Sequence, residues 1–429
     1  MSFESIVWKD INENTLFMSL KTISFSDKMK RGSGFSDHKD AYLGILLLGI
    51  VSLLGDVVYE GSRGIGPDYL GFLGATAVVI GLVGGIGDFL GYAMRLVSGF
   101  LVDATKAYWF FIFLGYGLIV SIPLLGAFTS LEVVIFLVLL ERLGKALRAP
   151  SRDTVLSIVA KDLGTGKAFG YHELLDQVGA IIGPLIIAVL MFYSSNNYRL
   201  TFSFLFIPFI MLLFVLVYTY RKINSKTKIA EQIRTETKKA KLSKPFHVYT
   251  FAVLLNTVGL IPYTLILFKA DEILRPIQQQ WIVPLIYMLI QGVDAPAALL
   301  SGYAFDKFGI KVLLLPFFLS IFPPLLAMSS SELTMLIAAA IMFGLVLGMQ
   351  ESIYRAAVSK LTPISSRGTA YGIFNTAYGI GFMISGAVYG LAIDYNIPFI
   401  FILIYVLLMQ IPAIVSLLNI HQEKKNAEA

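Results

Sequence analysis

Twelve long apolar runs, separated by short polar stretches, govern what this 429-residue chain can fold into. They fall near 41–62, 72–99, 109–129, 131–150, 168–192 and 198–220, then near 246–268, 281–303, 310–328, 332–355, 369–391 and 396–418. Each is close to the length, roughly 20 residues, that an α-helix needs to cross a bilayer. The runs are continuous and do not alternate every second residue, which argues against an outer-membrane barrel. With 56% hydrophobic and only 14% charged residues, the chain lacks the polar surface of a soluble globule. The expected fold class is an all-α polytopic membrane protein, with twelve transmembrane helices in two pseudo-symmetric six-helix bundles, 41–220 and 246–418. A tail (1–40), a basic linker (221–245) and a second tail (419–429) lie outside the bundles. The first tail reads as cytoplasmic, with no signal peptide and an amphipathic stretch around Ile6–Leu20.

Lys and Arg set the orientation. With both termini in the cytoplasm, only Arg63, Arg199, Lys269 and Arg275 of the 34 basic residues fall on the far side. The expected location is the cell (plasma) membrane. The net charge of +6 sits in tails and loops between apolar spans, so the bilayer explains it and a nucleic-acid partner is not expected. The absence of cysteine rules out disulfides, thiolate metal sites and cysteine nucleophiles. Gly81-Leu-Val-Gly84-Gly85-Ile-Gly87 has the look of a phosphate-cradling loop, but it lies inside an apolar span with no Lys-Ser/Thr after it. It reads as helix-packing glycine. No cofactor, metal or catalytic constellation is expected, and the chain is not read as an enzyme.

The two halves repeat. Ser98-Gly99-Phe-Leu-Val-Asp103 matches Ser301-Gly302-Tyr-Ala-Phe-Asp306, and Gly166-Lys-Ala-Phe-Gly170 matches Gly368-Thr-Ala-Tyr-Gly372, at nearly one offset. Six spans per repeat relate the halves by an axis along the membrane normal. At these residues the chain resembles the major facilitator superfamily. That family's loop between spans 2 and 3 carries Gly-x-x-x-Asp-Arg/Lys-x-Gly-Arg/Lys, repeated between spans 8 and 9. Gly302, Asp306, Lys307 and Gly309 match the second copy, with Lys311 one position late. The first copy keeps Gly99 and Asp103, followed by Ala104, Thr105 and Lys106. Gly179-Ala-Ile-Ile-Gly183-Pro184 is similar to the start of an antiporter-associated motif, without its trailing glycine pair. The strings at 56–60 and 141–153 resemble a subgroup of uncharacterised prokaryotic members. The resemblance implies the facilitator fold over 41–418 and transport by alternating access. It also implies a cytoplasmic gate, in which Asp103 pairs with Arg152 beside Gly99, and Asp306 pairs with Arg355 beside Gly302.

Many charges fall inside the spans. They are Asp56, Glu60, Asp88, Arg95, Glu141, Arg142, Lys145, Arg148, His172, Glu173, Asp176, Asp294 and Glu351. A charge facing lipid at the midplane costs roughly 2.5–3.5 kcal/mol. The set must therefore face a polar cavity or one another. Glu141, Lys145, Arg148 and Arg152 share one helical face, with Glu141 and Lys145 placed to pair. His172, Asp176, Gly179 and Gly183 share another face, and the acids of span 5 can neutralise the bases of span 4. Candidate substrate-binding residues are Tyr59, Glu141, Arg142, Lys145 and Asp294, with Tyr171 and Tyr371 as further aromatic candidates. Asp56, Glu60, Asp88, Asp176 and His172 are the candidate proton carriers, because buried carboxyls and histidine can titrate near neutrality. The same charges would also suit a structural network. Gly179, Gly183 and Pro184 read as helix-packing positions. His172-Glu173-x-x-Asp176 has metal spacing but no third strong ligand, so no metal is expected.

The leading expectation is a monomeric, proton-coupled secondary transporter for a small organic solute, with export favoured. Alternatives are an uptake symporter or facilitator and, from another class, a membrane-embedded lipid-handling protein or enzyme. The mixed signs of the buried charges leave the solute's own charge open.

Overall fold

The computed structural model describes residues 41–160, 165–229, 241–363 and 366–428. The first tail, with its expected amphipathic stretch, and most of the linker lie outside the described residues. What is described is helical, with no strand. In the first half the helices are α1 (Ala41–Phe72), α2 (Ala77–Thr105), α3 (Tyr108–Ala127), α4 (Leu131–Val159), α5 (Thr165–Tyr193) and α6 (Tyr198–Asn224). In the second they are α7 (Lys244–Ile277), α8 (Val283–Phe308), a broken segment α9 (309–329), α10 (Leu333–Leu361), α11 (Arg367–Asp394) and α12 (Phe399–Glu428).

Ten segments of the described chain are long and apolar enough to cross a membrane. The 29-residue α4 is not among the ten, because Glu141, Arg142, Lys145, Arg148, Arg152 and Asp153 crowd its second half. Residues of α8 and α9 form one 50-residue segment. It turns at Gly309, whose φ of 67° suits a residue without a Cβ.

Two boundaries differ from the sequence reading in ways that matter. The first helix runs to Phe72, well past its expected end at 62. Gly64, Gly66 and Pro67 look like a turn in sequence. In the fold, Gly61 and Gly64 are contact points instead: a Cβ on Gly61 would come within 3.1 Å of Gly183, and one on Gly64 within 3.2 Å of Pro284. Arg63 is thereby carried into the interior instead of lying beyond the membrane. The second difference is in α7, which breaks between Val258 and Tyr263. Its freed carbonyls are satisfied by neighbours. Tyr405 donates to the Val258 carbonyl at 2.9 Å and Tyr389 to that of Gly259 at 2.6 Å. Ser385 donates to that of Leu260, and the Gln410 amide to that of Asn256 at 3.0 Å. Irregular backbone at membrane depth persists only with such internal partners.

The first half meets the second mainly along α2–α11 and α5–α8. The α2–α11 seam is made of glycine. A Cβ on Gly81 would lie 2.1 Å from the Gly386 carbonyl oxygen, and Gly85, Gly379 and Gly390 are pressed as closely against the opposite backbone. The apolar glycine run of α2 is thus a packing surface, since only residues this small let two backbones touch.

Candidate functional site

The break in α7 and the extra turns of α1 aim polar side chains at one central space. It is a cavity of about 200 Å³, walled by α1, α2, α4 and α5 from one half and α7, α8, α10 and α11 from the other. Glu60 is its hub. Its carboxylate holds Arg63 at 2.5 Å and Lys145 at 3.5 Å, and accepts from Tyr287 of α8 at 2.5 Å. Glu141 lies behind the wall, 3.7 Å from Arg63 and 3.8 Å from Arg142. Arg142 also pairs with Asp88 of α2 at 3.2 Å and donates to Tyr263 of α7 at 3.1 Å. Gln177 of α5 donates to Asp294 of α8 at 3.4 Å. Three polar bonds therefore span the two halves at mid-depth: Glu60–Tyr287, Arg142–Tyr263 and Gln177–Asp294.

One end of this space is sealed. There Arg275 of α7 donates to the Asp68 carboxylate of α1 at 2.9 Å and also to Asp271. Tyr198 donates to the same Asp68 at 2.7 Å. Asp394 of α11 accepts from the Ala77 and Val78 backbone N–H groups at 2.8 and 3.0 Å. It thus places a carboxylate on the positive N-terminus of α2. Phe192 and Trp281 meet edge to face at 5.2 Å. Toward the opposite end the walls part. Glu173, Glu351 and Arg355 are exposed, and a groove of about 740 Å³ runs on between α5 and α8.

Most of the expected residues converge on the cavity. Asp56, Tyr59, Glu60, Asp88, Arg142, Lys145, Arg152, Asp176, Asp294 and Arg355 all line it. Glu141 and His172 are buried behind it. Tyr171 and Tyr371 are not among the lining residues. The expected Glu141–Lys145 pair does not form; each side chain turns to α1, where Arg63 and Glu60 offer opposite charge. The span 4–span 5 pairing is present in Arg152–Asp176 at 3.6 Å, and His172 Nδ1 lies 3.4 Å from the same carboxylate. Arg148 instead stacks over the Tyr59 and Tyr116 rings at 5.1 and 4.8 Å.

The expected latch pairs are not made in this conformation. The ion-pair partners of Arg152 are Asp153 at 3.0 Å and Asp176, and Asp103 is exposed at the end of α2. No ion pair joins Asp306 to Arg355 among the described residues. Gly99 faces open space, and a Cβ on Gly302 would meet only the Ser352 hydroxyl at 3.1 Å. The close helix approach expected at these glycines is absent because this end of the molecule is open. Gly179 and Gly183 pack on the Leu53 and Val57 carbonyls of α1, where a Cβ would lie 2.6 and 2.7 Å away, and Pro184 sits inside α5.

Arg63, Tyr263, Tyr287, Tyr92 and Tyr378 also line the cavity and were not singled out in the sequence. A signal for Arg63 exists, three residues after Glu60 on one helical face. The tyrosines carry none, because an aromatic residue in an apolar run looks the same facing lipid or cavity. Among the described residues no group of three or more His, Asp or Glu is placed to hold a metal ion.

The family model described as Major Facilitator Superfamily matches residues 41–321 and 250–429. The chain belongs to the major facilitator superfamily. As a facilitator it is 34% identical over 360 residues to an uncharacterized protein of Mycobacterium tuberculosis, covering 82% of this chain and 87% of that one. It is 28% identical over 348 residues to an uncharacterized MFS-type transporter of Methanocaldococcus jannaschii, covering 78% and 85%. Among solved structures, the nucleoside transporter NupG superposes with a TM-score of 0.66 at 15% identity, over 88% of this chain and 98% of that one. A bacterial homologue of the human lysosomal transporter Spinster, inward-facing and unoccupied, superposes at 0.63 with 12% identity, over 89% and 98%. Similarities this low in identity establish the fold alone. Together with the family match they make the facilitator a multi-pass membrane transporter.

Proposed function

We propose that this facilitator is a secondary active transporter that carries a small organic solute through the central cavity by alternating access, coupled to protons. The observation that carries the reading is a charged cavity built from both halves, sealed at one end and open at the other. In this reading there are twelve crossings in two six-helix bundles, 41–220 and 246–418, joined by a cytoplasmic linker at 221–245. Both termini are cytoplasmic, the membrane is the plasma membrane, and a monomer suffices. The open end is the cytoplasmic one, so the conformation is inward-facing.

Coupling follows from a competition. Arg152 is held by Asp176, which His172 also contacts. Protonating Asp176 removes one of the two carboxylates on Arg152, leaving Asp153, and so loosens its hold for a move toward Asp103 when the cytoplasmic side closes. Asp306 and Arg355 would close the second half of the same gate. Asp56, Glu60 and Asp88 are the other candidate carriers. Export is favoured over uptake through the Gly183-Pro184 element of α5 alone.

The chain contains no cysteine, so introduced thiols are the only labels. Spin labels at Asn196 and Gln278 report the sealed end, and labels at Leu174 and Leu299 report the open end. Alternating access requires each pair to sample a short and a long distance, in opposite senses, as pH and lipid are varied. Fixed distances at both ends under all conditions would sink the reading.

A further inference from the structure

The charges of the cavity divide into two sets. Arg63, Lys145, Arg142 and Arg152 each have a carboxylate within ion-pair reach. Arg95 of α2 and Arg355 of α10 line the same space, yet neither makes an ion pair among the described residues, and Arg95 Nε is buried with no hydrogen-bond partner. The largest charge–charge effect on Arg95 comes from Arg355 and is repulsive. Two guanidinium groups, one from each half, thus line one cavity without an ion pair among the described residues, with Glu351 and Glu173 the acids that attract Arg355. A guanidinium pair of this kind, Arg95 part-buried and Arg355 at the opening, suits a carboxylate or phosphate.

The acids show the same division. Glu173 of α5, Glu351 of α10 and Asp294 of α8 line the cavity without an ion pair among the described residues. Asp294 is 2% exposed, and its Oδ1 has no hydrogen-bond partner. The strongest charge–charge effect on Asp294 comes from Glu351 and is again repulsive. Helix α10 is distorted at this spot, with a π turn over Gln350–Tyr354. The wider turn leaves Gln350, Ile353 and Tyr354 buried while Glu351 and Arg355 are exposed toward the opening. Such insertions recur at functional sites because they re-aim side chains at a small cost in backbone bonding.

Glu173, Gln177, Glu351 and Arg355 belong both to the cavity and to the groove between α5 and α8. The groove's remaining wall is mostly apolar, and Leu174, Leu299 and Tyr303 are each more than half exposed along it. Charge of both signs therefore sits at the inner end of a mostly apolar groove that also carries Asp306.

We propose that the solute is a zwitterion bearing an apolar chain: its anionic group lies between Arg95 and Arg355, its cationic group on Glu173 and Glu351, and its chain in the α5–α8 groove. This rests on the transporter reading and names its substrate class. Two sources share the chemistry, a single-chain zwitterionic phospholipid from the bilayer and a soluble apolar peptide.

The test uses the full chain in nanodiscs. Binding is measured for lysophosphatidylethanolamine, for lysophosphatidic acid and an alkylamine of matched chain, and for the soluble dipeptide leucyl-leucine. One of the two zwitterions binds about tenfold or more tighter than the anion-only and cation-only probes, and which one binds identifies the source. Arg95→Gln and Arg355→Gln abolish the preference over the alkylamine, whereas Arg355→Lys keeps most of it. Glu351→Gln and Glu173→Gln abolish the preference over lysophosphatidic acid. Leu299→Asp weakens only the probes with a chain. Equal binding of all charge types, no binding of either zwitterion, or unchanged affinity in both arginine variants overturns the proposal. The spin-label distances described above are read on a separate labelled preparation, so that labels at Leu174 and Leu299 do not occupy the groove during the binding measurement. If the two ends still exchange, only the substrate class has failed; if they do not, the transporter reading has.

Discussion

Glu60 is one carboxylate asked to serve two cations and a tyrosine of the opposite half. Removing its charge leaves Arg63 and Lys145 buried beside each other. Breaking a buried pair costs about 3–5 kcal/mol, whereas losing one hydrogen bond to a charged group costs about 1.5–3 kcal/mol. Glu60→Gln should therefore lower the melting temperature more than Tyr287→Phe, measured by thermal unfolding in detergent. A larger loss in Tyr287→Phe would mean that Glu60 is not the hub. Asp176 makes a different prediction. Asp176→Asn leaves Arg152 with Asp153 alone as its carboxylate whatever the pH, so the dependence of transport on the proton gradient should fall while solute binding persists. Unchanged dependence would move the proton to Asp56, Glu60 or Asp88. At this scale the sequence was informative about which residues are polar in apolar runs and poor about their partners. The i, i+4 rule pointed Glu141 at Lys145, but cross-helix attraction to Arg63 and Glu60 won. A single strand of sequence holds no record of which helix lies opposite.

At the level of helices, the α2–α11 seam tolerates nothing larger than glycine. Gly81→Leu drives a side chain into the Gly386 backbone and should wedge the sealed end apart, lengthening the Asn196–Gln278 label distance by several ångströms. Gly99→Leu meets open space in this conformation. It should leave melting unchanged here and yet hinder closure of the open end, raising the inward-facing population in the Leu174–Leu299 distances. A melting loss in Gly99→Leu would show that Gly99 is already packed. Helix existence was legible from hydropathy for the ten apolar segments, whereas the charges in the second half of α4 take it below that measure. Boundaries were not. Gly64, Gly66 and Pro67 have the chemistry of a turn, yet the helix continues through them, with Gly61 and Gly64 packed on α5 and α8. The break in α7 was hidden because Gly259 and Pro262 sit in an uninterrupted apolar run.

For the whole molecule, the sealed end depends on one arginine shared by two acids. Arg275→Ala leaves Asp68 and Asp271 facing each other without a counter-charge. It should shift the label distances toward the outward-open form. No shift would mean that Asp394 on the α2 terminus and the Phe192–Trp281 contact are sufficient to hold this end. The family resemblance was visible in motif spacing. The conformation was not, because motif spacing carries no information about which end of the cavity is sealed.

The corner in α7 has a mechanical consequence. Its loose carbonyls are tied to α11 and α12 by four side chains, so the corner is braced and cannot flex like an ordinary kink. In the alternating-access reading proposed above, Tyr263 at its apex travels with one half and Arg142 with the other. The hydrogen bond between them is then a strain gauge set across the moving joint. Its length records how far the two blocks have turned.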